Sequence, residues 1–285
     1  VETRQQTLVL TDTALYVMQY LGPPFTFGVN KISQNTSIAS PTAIVAVDDM
    51  VFWMGDRTFY MFAGSVQEIP CTVLDFVFDT MDESEAYKVT CGSNIEYGEI
   101  WWFYPCSTSS ECDRYVVYNY KQQIWYTGSL SRSAWVDRAD RVVPVAATPR
   151  DNYLYYHETG LNDGSTDPFS PINAYIESSP LDLGEGDSFA FLSRIIPDIT
   201  FDGSNRSDPS VTMTVSASDY PGAAYGQSDS DAVQRSTTLP VEQYTKELYL
   251  RLRGRQMKLR VESDKTEMSW RLGSPRADLR TDGRR

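Results

Sequence analysis

Side chains able to do acid–base or nucleophilic chemistry occur in this chain, but not at the spacings that chemistry needs. Carboxylates are adjacent at Asp48-Asp49 and at Asp82-Glu83. Neighbours on a strand point to opposite faces, so such pairs do not jointly flank a scissile bond; both sit in turn-like contexts, where a surface role is expected. The single histidine, His157 in YLYYHETG, is the one imidazole open to a Ser-His-Asp or Cys-His arrangement, and no G-x-S-x-G elbow accompanies it. Beside its tyrosines it reads as a packing or hydrogen-bonding residue at a strand end. Neither G-x-G-x-x-G nor G-x-x-x-x-G-K-[ST] is present. No catalytic site and no cofactor are expected.

Metal and sulfur chemistry give a similar answer. Cys71, Cys91, Cys106 and Cys112 form no CxxC pair and come with one histidine, which leaves a structural zinc site without ligands. Cys71 and Cys91 lie in strand-like surroundings as small hydrophobes. Cys106 and Cys112 bound the polar loop PCSTSSEC; they either staple it with a disulfide or, in a reducing compartment, stay free thiols. The acidic residues Asn162, Asp163 and Asp167, and then Asp182, Glu185 and Asp187, do not match the spacing of an EF-hand loop and read as surface turns. Ser263 to Trp270, SDKTEMSW, fails the S-x-D-x-G-x-T-W pattern of sialidase-type turns, because the glycine is missing and the aspartate is one place early. Trp101, Trp102, Trp125 and Tyr126 could stack on sugars, but on strands with alternating faces about half of them belong to a core.

The elements that must position these residues are strands. Ile100 to Gly128, IWWFYPCSTSSECDRYVVYNYKQQIWYTG, holds three β-branched and aromatic runs separated by a polar loop and by Lys121-Gln122-Gln123, the pattern of a meander. TLVLTDTALYVMQYL near the start, and AIVAV, MVFWM and TFYMF between Ala43 and Phe62, repeat the device with turns at Asp48-Asp49 and Gly55-Asp56-Arg57. Ser65 to Met81 is read as a strand or a helical turn and Ala86 to Cys91 as a strand; Ala134 to Ala147 with Asn152 to His157 supplies another pair. Aromatic-rich hairpins thus recur every 35 to 50 residues or so, within the blade-length range of propellers.

Composition shifts between Thr159 and Asp187, where Gly, Pro, Ser and Asp accumulate. The expected organisation is propeller-type blades over 1–160, a linker over 161–187 and a C-terminal β platform or sandwich over 188–285 with a basic tail. In the last part Val211, Met213, Val215 and Ala217 alternate with polar residues. After the mobile-looking loop YPGAAYGQSDSDAVQ come Leu248, Leu250 and Leu252, a Gly254-Arg255 turn, Met257, Leu259 and Val261, and finally Met268, Trp270 and Leu272. A hairpin across Gly254-Arg255 would line up Arg251, Arg253, Lys258 and Arg260 on one solvated face.

Charge is unevenly spread. From Leu250 onward there are 11 Lys and Arg against five Asp and Glu, whereas the preceding 249 residues carry 14 against 33. An acidic body binds phosphate poorly. No run approaches the roughly 18 apolar residues of a membrane helix. The chain opens on Val1 without a leader pattern and is read as a piece of a longer chain or a processed product.

The C-terminal stretch ELYLRLRGRQMKLRVESDKTEMSWRLGSPRADLRTDGRR, with LVLTDTALYVMQ and VAVDDMVFWMGDRTFYMF, resembles the β-propeller nozzle (tail tubular B-type) proteins of short-tailed bacteriophages. The resemblance implies an all-β chain combining part of a propeller with a C-terminal β domain, since members of that family are longer. It implies a homo-oligomeric ring, commonly a hexamer, below a tail adaptor ring, conducting genome DNA through its channel without sequence-specific binding. The chain would then be assembled in the host cytoplasm and reside in the virion tail. The acidic body suits a channel in which DNA slides, and Arg251, Arg253, Lys258, Arg260, Arg276 and Arg280, followed by Arg284 and Arg285, would meet an acidic neighbour. A solvated face keeping a sheet edge soluble is the plainer reading of the same cations. The alternative function is a host-receptor or glycan-binding propeller used in adsorption.

Overall fold

The computed structural model describes residues 1–4, 6–138, 141–151, 153–182, 187–220 and 235–283. The chain is all-β, with one short α-helix and one 3-10 turn. It divides into two compact units, Val1–Thr159 and Gly160–Arg285.

The first unit holds four antiparallel sheets in chain order. The first contains β1 (Thr7–Leu10), β2 (Ala14–Tyr20) and β3 (Phe27–Gln34); the second β4 (Ile44–Val47), β5 (Met50–Met54), β6 (Phe59–Phe62) and β7 (Val66–Glu68). The third contains β8 (Thr90–Asn94), β9 (Glu99–Pro105), β10 (Cys112–Asn119) and β11 (Ile124–Ser129); the fourth β12 (Ala134–Val136), β13 (Val145–Ala147) and β14 (Leu154–Tyr156). Each is a meander of neighbouring strands. The β4–β5 connection is a two-residue loop, Asp48-Asp49, with Asp48 at φ 53, which the twist of a tight hairpin requires.

These sheets pack face to face, and that packing explains the uninterrupted apolar strands. In β5, Val51 and Trp53 meet Leu8, Leu15 and Val17 of the first sheet, while Phe52 and Met54 turn toward Ile100, Trp102 and Tyr104 of the third. In β9 those three residues face the second sheet, and Trp101 and Phe103 face Trp135 and Ala146 of the fourth. A strand covered on both sides loses its polar alternation. Buried indoles find partners in the neighbouring sheet: Trp102 Nε1 donates to the Ala43 carbonyl at 3.1 Å and Trp135 Nε1 to that of Ser93 at 2.8 Å. The opening strands of successive sheets are also neighbours, β4 beside β8 and β8 beside β12.

Two expectations change here. The run after Ser65 is not one strand: β7 is followed by α1 (Leu74–Thr80), which buries Val77 and Phe78 against the second and third sheets. Phe78 meets Phe59 with ring centroids 5.6 Å apart. Ala86 to Lys88 belongs to a 3-10 turn over Glu83–Lys88, and the strand starts only at Thr90. Asp82 caps that turn through Ser84 N at 3.0 Å, a local hydrogen bond that outcompetes extension.

The second unit is built on two sheets that share a core. Its strands are β15 (Asn162–Asp163), β16 (Ser170–Pro171), β17 (Ala174–Glu177), β18 (Leu181–Asp182), β19 (Ala190–Ile196), β20 (Ile199–Thr200), β21 (Ser210–Ser218), β22 (Arg235–Glu242), β23 (Leu248–Gly254), β24 (Gln256–Ser263), β25 (Arg271–Leu272) and β26 (Arg276–Thr281). One sheet runs β17-β24-β21-β22 with β18 also on β24, and the other runs β23-β19-β26. Met213, Val215, Met257 and Val261 of the first pack with Leu192, Ile195, Leu250 and Leu252 of the second, as in a sandwich.

Three further readings are corrected. The stretch 161–187 is not a bare linker, because Ile176 and Leu181 sit opposite Val261 and Met257 on edge strands of the larger sheet. Met268 and Trp270 pack on the core without forming a strand, and pairing is confined to Arg271–Leu272 with Ile199–Thr200. β23 and β24 are not a hairpin: β23 pairs with β19, and β24 with β21. Gly254-Arg255 is the corner where the chain passes between sheets; a Cβ on Gly254 would stand 2.7 Å from Ala217 Cβ, so this corner takes no larger residue without movement. The loop at Pro221–Gln234 lies outside the described residues.

Candidate functional site

The separation of β23 from β24 redistributes the six cations singled out above. On β23, Leu250 and Leu252 point into the core, so Tyr249, Arg251 and Arg253 face outward. On β26 the partners of the inward Leu192 and Ile195 are Leu279 and Ala277, which turns Arg276, Asp278 and Arg280 outward. Arg251, Arg253, Arg276 and Arg280 therefore share the outer face of the three-stranded sheet. Lys258 and Arg260 lie on the outer face of the other sheet, between the inward Met257, Leu259 and Val261.

Local carboxylates neutralise part of each group. Lys258 Nζ is 2.5 Å from Glu177 Oε1; Arg260 reaches Glu177 at 3.2 Å and Glu262 at 2.7 Å and lies 4.1 Å over the Tyr175 ring. Burial alone would raise the Glu177 carboxyl, but the hydrogen bonds and charges of Lys258 and Arg260 outweigh it and hold the group below its ordinary value. Arg253 pairs with Asp282 and stacks 3.9 Å over Phe189. Arg251, Arg276 and Arg280 have no carboxylate partner among the described residues. Arg284 and Arg285 lie outside those residues.

Sequence reasoning missed the centre of this face. Arg194, an outward position of the alternating AFLSRII strand, donates to Asp278 at 2.8 Å and Glu247 at 2.8 Å. The Asp278 hydrogen bond, then the charges of Asp278 and Glu247, raise its affinity for its proton. Asp278 sits directly across from it in register. The face thus has a fixed ion-pair centre, with Arg251, Arg276 and Arg280 as exposed cations around it. Such a surface suits a partner presenting carboxylates and sets register more than affinity.

The other candidates find local roles. Asp48 receives Arg4 at 3.0 Å, and Glu83 receives Arg57 at 3.3 Å. The Nε1 of Trp101 donates to Glu99 at 3.1 Å; Trp101 and Trp102 are buried and Trp125 and Tyr126 half-buried between sheets, so they form no outward platform. Arg132 Nε donates to His157 Nε2 at 2.9 Å, which requires a neutral imidazole. Burial, then the neighbouring Arg132 charge, pushes His157 down to about 4.

All four cysteines are free thiols, which corrects the staple across Cys106 and Cys112. Cys106 Sγ donates to Asp113 Oδ2 at 3.1 Å, while Cys112 Sγ turns to the carbonyls of Lys88 and Phe103. Burial raises Cys112 to about 12, with Glu111 and Asp113 adding to the effect. Asn162 holds Glu267 through both ends of its amide, Asp163 accepts from Ser165 N at 2.9 Å and Asp182 from Gln256 at 2.7 Å. No cluster of three metal-ligating side chains is present among the described residues; Glu185 lies outside them.

No family model and no curated protein matches the chain. Among solved structures it is similar to an exo-β-1,3-galactanase from Phanerochaete chrysosporium bound to galactose, at 12% identity over 97% of this chain and 69% of that one, with a TM-score of 0.17. A likeness that slight carries no argument about fold or activity.

Proposed function

We propose that this chain is a structural component of a bacteriophage tail, part of a ring-shaped nozzle at the distal end of the tail tube that holds and conducts DNA during ejection. The observation that carries the reading is the stack of four meanders in chain order, each covering the face of the next, with opening strands side by side. Propeller blades succeed one another in that manner, and the resemblance of the three sequence stretches leads to the same family. The acidic bulk of the chain suits a channel wall that lets a polyanion slide. The outward Arg251, Arg276 and Arg280 serve as contacts to an acidic tail neighbour. In this reading the work is assembly and genome passage, with no bond made or broken.

Labelling the chain with a tag and imaging vitrified particles tests this directly. The expected result is a rotationally symmetric ring in the distal half of the tail. A protein that stays out of tails, and binds or cleaves a purified polysaccharide, would replace the proposal with the adsorption or enzyme alternative. Changing Arg251, Arg276 and Arg280 together to Glu is expected to block incorporation into tails while leaving the circular dichroism of the isolated chain unchanged. Normal incorporation of that variant would remove the arginine face from the proposal.

A further inference from the structure

The four-sheet stack of the first unit is unfinished at both ends. Between consecutive sheets, each apolar face is covered by the next. The outer face of the first sheet carries Val9, Tyr16, Met18, Tyr20, Phe27 and Val29, placed together by the register Val9↔Tyr16, Met18↔Val29 and Tyr20↔Phe27. Tyr20 is 67% exposed, Phe27 60% and Val29 60%. Lys31 at the margin reaches over the Tyr16 ring. The outer face of the fourth sheet is made of two cross-strand rows, Val136–Val145–Tyr156 and Ala134–Ala147–Leu154. Tyr156 is 68% exposed and Leu154 70%. Solvent-facing sheet surfaces are normally polar, and rows like these are otherwise found at interfaces.

We infer that the outer face of the fourth sheet docks on the outer face of the first sheet of a second copy of this chain, head to tail. The contact continues the interface already repeated three times within each copy, apolar face on apolar face. Its two sides differ in the way that packing needs, with large aromatic side chains on the first sheet and three small residues, Ala134, Val145 and Ala147, on the fourth. The number of copies follows from closure. A heterologous contact propagates until it closes into a ring, and sheet toroids close with about four to eight blades. Four sheets per copy with both ends exposed leave two copies and eight sheets as the solution; three copies would exceed the range. The inference rests on the sheet faces and does not depend on a role in a tail.

Sedimentation velocity of the full chain at about 100 μM is expected to show a dimer. Two double variants separate the faces, Tyr20→Lys with Val29→Glu on the first sheet and Val136→Glu with Tyr156→Lys on the fourth. Each alone should lose self-association by more than about 30-fold. An equimolar mixture should recover a weaker dimer, because one copy offers an intact fourth sheet and the other an intact first. If like faces paired with like, one variant would remain dimeric by itself, and that outcome overturns the inference. So does a wild-type monomer at this concentration, as when the faces are covered from within one chain. Should either double variant misfold by circular dichroism, Val29→Cys and Val136→Cys provide the second reading: a bond between chains is expected only when the two are mixed and oxidised, and its absence there counts against the contact.

Discussion

Trp135 of the fourth sheet lies so flat across Gly92 of the third that a Cβ on Gly92 would stand 2.2 Å from the indole Cδ1 and 2.7 Å from the Trp135 Cβ. The same indole stacks on Trp101 at 5.5 Å between centroids and 12° between planes. Glycine is thus what lets the fourth sheet approach the third. The obstruction includes the root of the side chain, so rotation does not relieve it, and Gly92→Ala is expected to cost about 1–3 kcal/mol in denaturant unfolding. Gly128→Ala is the control: there the Cβ meets the hydroxyl end of Tyr115, which can swing aside, and the loss should be smaller. Equal losses at the two positions would contradict this account.

His157 gives the first unit a measurable response to acid. Its folded value of about 4 lies below the ordinary value of 6.5. Between those two values the unfolded chain binds a proton that the folded chain refuses, so stability rises with pH across that window and falls as pH drops from about 6.5 toward 4. Each tenfold difference in proton affinity between the folded and unfolded chain is worth about 1.4 kcal/mol, which makes the whole effect roughly 3 kcal/mol. His157→Gln retains an acceptor for Arg132 and has nothing to titrate. Urea unfolding at pH 7 and pH 4.5 should show the variant losing distinctly less stability than the parent, and parallel losses would refute the assignment.

Much of the first unit was legible because its strands announce themselves by type. MVFWM and IWWFY are too short and too β-branched or aromatic for helices, and their lack of alternation reports burial on both faces. The helix at Leu74–Thr80 was obscured because two turns give periodicity little to work on and Val73 supplies no side-chain cap. In the second unit the alternation of β21, β23 and β24 was clear, but alternation states which residues face a core and not which strand is the partner. Placing Leu250 and Met257 in opposite sheets satisfies the pattern as well as a hairpin does, so the cation cluster was drawn on one face when it occupies two. Arg194 was invisible for a related reason: its carboxylates, Glu247 and Asp278, are 53 and 84 residues away.

The thiols offer a direct count. With Cys106 bonded to Asp113 and Cys112 turned to backbone carbonyls, protein purified without reductant should release four equivalents to a thiol reagent once denatured. Native protein should react slowly at Cys112, whose burial raises it to about 12 and suppresses the thiolate. Two equivalents after denaturation would mean that the loop is stapled after all.

Glu177 joins an edge strand to the sheet it completes, and its chemistry has a predictable sign. Lys258 and Arg260 hold the carboxyl below its ordinary value against the opposing effect of burial, so the pairing contributes stability above the unfolded value of about 4.3 and loses it as pH falls through the folded one. The carboxylate side chain is 30% exposed, and water screens the interaction accordingly. Glu177→Gln is expected to cost about 1 kcal/mol or less at low salt and neutral pH. The difference should shrink with added salt and largely vanish near pH 3, where the parent is protonated too. Arg260 keeps Glu262 in the variant, so the loss should fall on the β17 edge, seen as faster amide exchange from Ala174 to Glu177. A loss independent of both salt and pH would point to the packing of Tyr175 and Ile176, and not to charge, as what holds that edge.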